Sequence, residues 1–154
     1  MILIDTPKFG RARMWCATKT RSEAWQAFLS NVGHWQMLGV GQWAIVERAS
    51  QQMIGQTGFF FAQRRLGVDF DDCLEAGWVF ASEAQGKGYG PEAVVAAHEW
   101  FDQCRPGPLV AVMTKANVAS RRVADALGYE LLRWAELTGD PVVLLHRTAR
   151  GATG

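Results

Sequence analysis

The sequence predicts an α/β fold of the α+β kind, a single domain over residues 1–154 in which helices cover the faces of a mixed sheet. Three observations predict it. The length of 154 residues suits one domain. A content of 49% hydrophobic and 20% charged residues is that of a globular chain with a core. The apolar patterns also come in the order helix, strand, strand, strand, helix, strand, helix, strand, strand, which argues a mixed sheet.

Residues 1–20 carry no clear period. In 21–33, Trp25, Phe28, Leu29 and Val32 fall at helical spacing, with Ser22 as cap and Gly33 as stop. The stretches 42–48 and 53–62 are rich in β-branched and aromatic residues, and the polar turn between them predicts a hairpin. The charged stretch 63–72 reads as a loop, and 73–81 as a short, mostly buried strand. Pro91 suits the first turn of a helix, where its missing N–H is harmless. Ala93, Val94, Ala97, Trp100, Phe101 and Cys104 form the apolar stripe of that helix, with His98 and Glu99 on its surface. A buried strand follows at 109–113. Asn117 caps the next helix, whose inward face is Ala119, Val123, Ala126 and Leu127, and Gly128 ends it. Residues 129–137 and 142–146 make a final hairpin about the turn 138–141.

Several function classes are excluded at this level. No apolar run reaches the roughly 18 residues of a membrane span, and MILIDTPKFGRAR lacks the layout of a signal peptide. Cys16, Cys73 and Cys104 are too scattered for a disulfide framework or a zinc site, so no metal is expected and a reducing cytoplasm is the simplest compartment. With 16 basic and 15 acidic residues and no basic block, nucleic acid is not an expected partner. Of the seven tryptophans, most should be core and some could line a pocket.

The informative segment is 84-AQGKGYGPEAVVAAHEW-100, a strand followed by a glycine-rich turn and a helix start. The first N–H groups of a helix are unpaired and its dipole favours negative charge there. Glycines let the backbone curl around a phosphate, so Gly86, Gly88 and Gly90 suggest a bound phosphate or pyrophosphate. A Walker loop fails because Gly88 follows Lys87. A dinucleotide fingerprint fails because its third glycine falls on Pro91 and no acid ends the next strand. A plain tight turn remains the alternative.

The spacing Gln85-x-x-Gly88-x-Gly90, after a strand containing Glu75 to Trp78, resembles the pyrophosphate motif of the GCN5-related N-acetyltransferases (GNAT). The segment from Asn117 through Ser120 to Gly128 and Tyr129 resembles that superfamily's next element, in particular the branch of the Rim-type ribosomal-protein acetyltransferases. The likeness covers roughly residues 22–147. It implies a mixed, mostly antiparallel sheet with helices on both faces, splayed between the strands at 73–81 and 109–114. Family members open with a further strand and helix, so the expectation here is a divergent or truncated start at 1–20. A missing first strand would leave an edge that a second copy could cover, which makes a homodimer one expectation.

The resemblance implies acetyl-CoA as co-substrate. The backbone from Gly86 through Lys87, Gly88 and Tyr89 to Gly90 would hold the pyrophosphate, with side-chain contacts from Gln85 and Lys87. The pantetheine arm would pair with the backbone of Trp78, Val79 and Phe80, whose side chains should be core. Asn117 is either a cofactor contact or an ordinary helix cap. Ser120 would donate to the leaving thiolate, because the position where many relatives carry a tyrosine is Ala124. Glu75, a carboxylate in an apolar strand, is the expected general base, unless it points to solvent. His34 is the second candidate for the base. The expected reaction is acetyl transfer to a primary amine by direct attack, the acceptor being a protein N-terminus or a small molecule. The segments 59–61 and 69–72 are expected to border its pocket. The alternative is an acyl-CoA-binding regulatory or scaffold protein without catalysis.

Overall fold

The computed structural model describes the backbone of residues 2–5 and all of residues 20–150. The elements run in the order β1 (Ile2–Asp5), α1 (Arg21–Leu38), β2 (Gln42–Glu47), β3 (Gln52–Phe60), α2 (Val68–Asp71), β4 (Leu74–Phe80), a short 3-10 turn (Ser82–Ala84), α3 (Tyr89–Cys104), β5 (Leu109–Thr114), α4 (Val118–Ala126), β6 (Glu130–Leu137) and β7 (Asp140–Arg147). Among the described residues these strands form one sheet of seven in the order β1-β2-β3-β4-β5-β7-β6. The described residues also fall into two compact units, one holding 2–5, 20–60 and 78–93, the other 61–77 and 94–150.

The first strand is present, so of the two starts expected, divergent or truncated, the one without a first strand is ruled out. Ile2 to Asp5 pair antiparallel with Glu47 to Ala44. A strand of four residues is too short to show a period, which is why the sequence hid it. The reason for expecting a homodimer, a bare β2 edge, falls with it. The rest of the irregular start, 6–19, lies outside the described residues.

Within the first unit, α1 is longer than its pattern suggests. Thr20, not Ser22, is the N-cap, in a capping box with Glu23. The helix passes through Gly33 and stops at Gly39, whose left-handed φ of 64° needs a glycine. None of its residues is buried, and Trp25, Leu29 and Val32 are exposed, against the core role expected of them. The helix is tied to β2 by polar contacts instead. Asn31 Nδ2 donates to the Gln42 carbonyl at 2.9 Å, and the Gln42 N–H donates to Asn31 Oδ1 at 2.7 Å. Trp35 and Trp43 meet edge to face with centroids 5.0 Å apart, and Trp43 meets the fully buried Phe59 at 6.1 Å. Ile45, Ile54, Ala84 and Ala93 form a buried cluster on which Phe80, Ala81 and Tyr89 pack.

Within the second unit, Phe70, Val110, Val142 and Leu144 form the core cluster. The expected loop at 63–72 contains the one-turn helix α2. Asp71 builds it by accepting from the N–H groups of Arg64 at 2.8 Å and Gly67 at 3.0 Å. The central strand β5 pairs antiparallel with β7 from Leu109↔Arg147 to Thr114↔Val142, and β7 pairs antiparallel with β6. β4 and β5 are parallel, but their ladder holds only Leu74↔Leu109 and Glu75↔Val110, at the start of each strand. The pairings of β1 with β2, β2 with β3, β5 with β7 and β6 with β7 are antiparallel, as expected of a mixed, mostly antiparallel sheet.

Candidate functional site

The glycine turn belongs to the first unit. Ala84 is buried at the end of the 3-10 turn, then Gln85, Gly86, Lys87 and Gly88 are exposed, and α3 begins at Tyr89. Gly86 and Gly88 have φ of 75° and 82°, left-handed values that a side chain makes costly. A Cβ on either would meet nothing within 4 Å, so the backbone faces open space. The Glu92 N–H reaches back to the Gly88 carbonyl at 3.4 Å, so α3 starts directly on that carbonyl. Pro91 sits in the first turn and lacks an N–H, leaving the N–H groups of Tyr89 and Gly90 at the helix mouth. A Cβ built at Gly90 would stand 3.6 Å from the Phe80 ring. A turn of this build presents backbone donors and the positive end of a helix dipole to an anion.

The other residues expected at the cofactor site are placed individually. In the first unit, Phe80 is half-buried against the Ile45 cluster and Trp78 is half-buried, but Val79 is 48% exposed, which corrects its expected core role. Alternation along β4 turns Val79 to the opposite face from its neighbours. In the second unit, Asn117 is the N-cap of α4, its Oδ1 accepting from the Ser120 N–H at 3.1 Å. Ser120 is half-buried, and Ala124 is fully buried. Ala124 and Leu127 are buried along α4 and Val123 is half-buried. Of the predicted inward face, Ala119 and Ala126 are exposed, and Ala124 takes an inward place that the prediction left out.

Glu75, in the second unit, is buried as expected of a mid-strand carboxylate. Its surroundings are different from those expected. Arg64 Nε donates to Oε2 at 2.7 Å and Nη2 to Oε1 at 2.8 Å. That hydrogen bond holds the Arg64 guanidinium above its ordinary range. Glu75 therefore neither points to solvent nor stands as a lone buried carboxylate, since both oxygens face a cation. The acidic residues of 69–72 are engaged in a similar way. Asp69 is bound by Arg133 Nε and Nη2, each at 2.9 Å, while Asp71 caps its own loop.

His34, in the first unit, lies with its ring centroid 6.5 Å from that of Phe60, edge to face. Its Nδ1 is 2.8 Å from the Ser30 carbonyl. A carbonyl only accepts, so Nδ1 carries the proton and Nε2 is the basic nitrogen of the neutral ring. The structure thus joins His34 to the 59–61 segment that the sequence assigned to the acceptor pocket.

His98 was missed. It was expected on the surface of α3 and is 2% exposed. Nδ1 donates to the Val94 carbonyl at 2.7 Å, and Nε2 accepts from the Tyr129 hydroxyl at 2.9 Å. Burial pushes its pKa from 6.5 down to about 4. The same burial pushes the Tyr129 phenol up. Beside it the buried Arg147 donates to Asp102 and to the Leu127 carbonyl. The signal was in the period: Val94, Ala97, His98 and Phe101 fall at i, i+3, i+4 and i+7.

Comparison with known proteins places this geometry. The family model described as "Acetyltransferase (GNAT) domain" matches residues 3–130. The chain belongs to the GNAT acetyltransferase family. A curated relative, YkkB of Bacillus subtilis (strain 168), is 26% identical over 110 residues, which are 71% of this chain; the match spans 62% of that relative's length. A solved GnaT-family protein from Bordetella pertussis superposes with a TM-score of 0.86 at 26% identity, covering 96% of this chain and 95% of that one. The ribosomal-protein-S5-alanine acetyltransferase of Vibrio fischeri superposes with a TM-score of 0.69 at 21% identity, covering 90% of this chain and 82% of that one. The GNAT fold and the likeness to Rim-type structures agree with the sequence reading. Among the described residues, no helix of this GNAT chain is long and apolar enough to cross a membrane.

Proposed function

We propose that this GNAT protein is an N-acetyltransferase that binds acetyl-CoA with the pyrophosphate over residues 85–90 and transfers the acetyl group to a primary amine. The observation that carries the reading is the left-handed turn at Gly86 and Gly88. It opens onto solvent and leads directly into the N-terminus of α3. Gln85 and Lys87 flank it as exposed polar side chains. The backbone of Trp78 to Phe80, on the strand leading to the turn, is assigned to the pantetheine arm. Asn117 is assigned a contact to the cofactor in addition to its cap.

In the reaction, a neutral amine nitrogen adds to the thioester carbonyl, the C–N bond forms, and the C–S bond breaks as thiolate leaves. The amine loses a proton and the thiolate gains one. Ser120 is assigned as donor to the thiolate. For the proton acceptor the structure supports His34 over Glu75. Both oxygens of Glu75 already accept from Arg64, whereas His34 carries its basic nitrogen on a half-buried ring. Most of the rate would come from holding amine and thioester in line.

The locked Glu75 and the buried Ala124 favour one second reading, an acyl-CoA-binding protein without catalysis. A thiol-release screen with saturating acetyl-CoA against peptides with free N-termini and small amines separates the two. Release that depends on an acceptor and falls more than tenfold in His34→Gln supports the enzyme. Binding without release against every acceptor class supports the second reading.

A further inference from the structure

Between the buried Ala84 and the half-buried Tyr89 the turn is exposed, and a Cβ on either of its left-handed glycines would meet nothing within 4 Å. Its position is therefore set at its ends. One end is the packing of Ala84 into the Ile45 cluster. The other is Tyr89, which packs on that cluster and also donates its hydroxyl to a Glu47 carboxylate oxygen. Glu47 is the last residue of β2, and its other oxygen accepts from Ser50 Oγ at 2.5 Å. Beside this arrangement is a cavity of about 450 Å³ walled by Glu47, Ser50, Lys87 and Tyr89, so little protein supports the turn from that side.

A carboxylate near a pyrophosphate site opposes binding of the anion. Its placement there calls for a contribution in the other direction, and the Tyr89 hydrogen bond supplies one. We propose that Glu47 is a positioning residue for the cofactor turn, acting through Tyr89 to fix where α3 begins and where its first N–H groups point. Pre-setting the turn lowers the ordering that an incoming pyrophosphate would otherwise impose. This inference rests on the acetyl-CoA reading above.

The test measures acetyl-CoA binding by calorimetry and steady-state kinetics for wild type, Tyr89→Phe, Glu47→Ala, Glu47→Gln and the Glu47→Ala/Tyr89→Phe pair. Tyr89→Phe keeps the packing and should weaken binding about tenfold, as should Glu47→Ala. Glu47→Gln retains a carbonyl acceptor for the phenol and should recover most of the loss. The pair should be no weaker than either single change, because one contact is removed in each. KM for acetyl-CoA should rise while kcat at saturation holds within twofold. Binding of Tyr89→Phe within twofold of wild type, additive losses in the pair, or tighter binding in Glu47→Ala overturns the inference and leaves acetyl-CoA binding standing. Failure of the wild type to bind acetyl-CoA overturns the functional reading and this inference with it.

Discussion

Arg64 holds Glu75 by two parallel hydrogen bonds of 2.7 and 2.8 Å, from a half-buried loop to a buried strand position beside β5. A carboxylate in an apolar strand is tolerable only when matched in this way. Removing the cation alone leaves a buried charge, so Arg64→Ala should destabilise the protein by about 3 kcal/mol. Glu75→Gln keeps an acceptor and should cost about 1 kcal/mol. Urea denaturation of the two variants checks the order. Turnover abolished in a Glu75→Gln variant that stays folded would instead make Glu75 the catalytic base.

His98 makes stability depend on pH. Its folded pKa is pushed down to about 4 from an ordinary 6.5, with burial as the main cause. As pH falls below 6.5 the unfolded chain takes up the proton first, so stability is complete above that value and is lost between pH 6.5 and 4. The full difference is about 3 kcal/mol. Urea midpoints measured from pH 7.5 down to 4.5 should fall for wild type. They should fall less for His98→Gln, which is less stable at pH 7.5 because the Tyr129 hydroxyl must re-pair. A wild-type profile no steeper than that of the variant would remove His98 as the cause.

Asn117 separates structure from ligand contact. Its Oδ1 caps α4 through the Ser120 N–H. Asn117→Ala should cost about 1 kcal/mol in stability. Asn117→Ser retains the cap and should keep the thermal midpoint, yet it loses the amide N–H groups. A rise of several-fold in KM for acetyl-CoA in Asn117→Ser is the expected mark of a cofactor contact. An unchanged KM would leave Asn117 as a cap alone.

Much of the fold was legible because local rules and tertiary need agreed. The stripe of Ala93, Val94, Ala97 and Phe101 is buried as its spacing predicts, and the glycine turn sits at the mouth of α3. The site was less legible where partners are far apart in sequence. Nothing local links Arg64 to Glu75, or Glu47 to Tyr89, because each pair is brought together by strand pairing and loop packing. His98 was misread for another reason. A polar residue type outweighed the helical position that placed it inward, and the Tyr129 hydroxyl made that position tenable. The apolar residues of α1 misled in the opposite direction, since Trp25 and Leu29 follow a helical period and still face solvent.

The central claim is that the turn at Gly86 and Gly88 holds the pyrophosphate of acetyl-CoA. Calorimetric titration of acetyl-CoA into wild type and into Gly88→Glu tests it most directly. A Cβ at Gly88 meets no atom within 4 Å, and the left-handed backbone adds about 1–2 kcal/mol of strain. The account predicts saturable binding to wild type, and loss of at least a hundredfold in Gly88→Glu while the variant remains folded by circular dichroism. Equal binding to both proteins, or no binding to wild type, would contradict it.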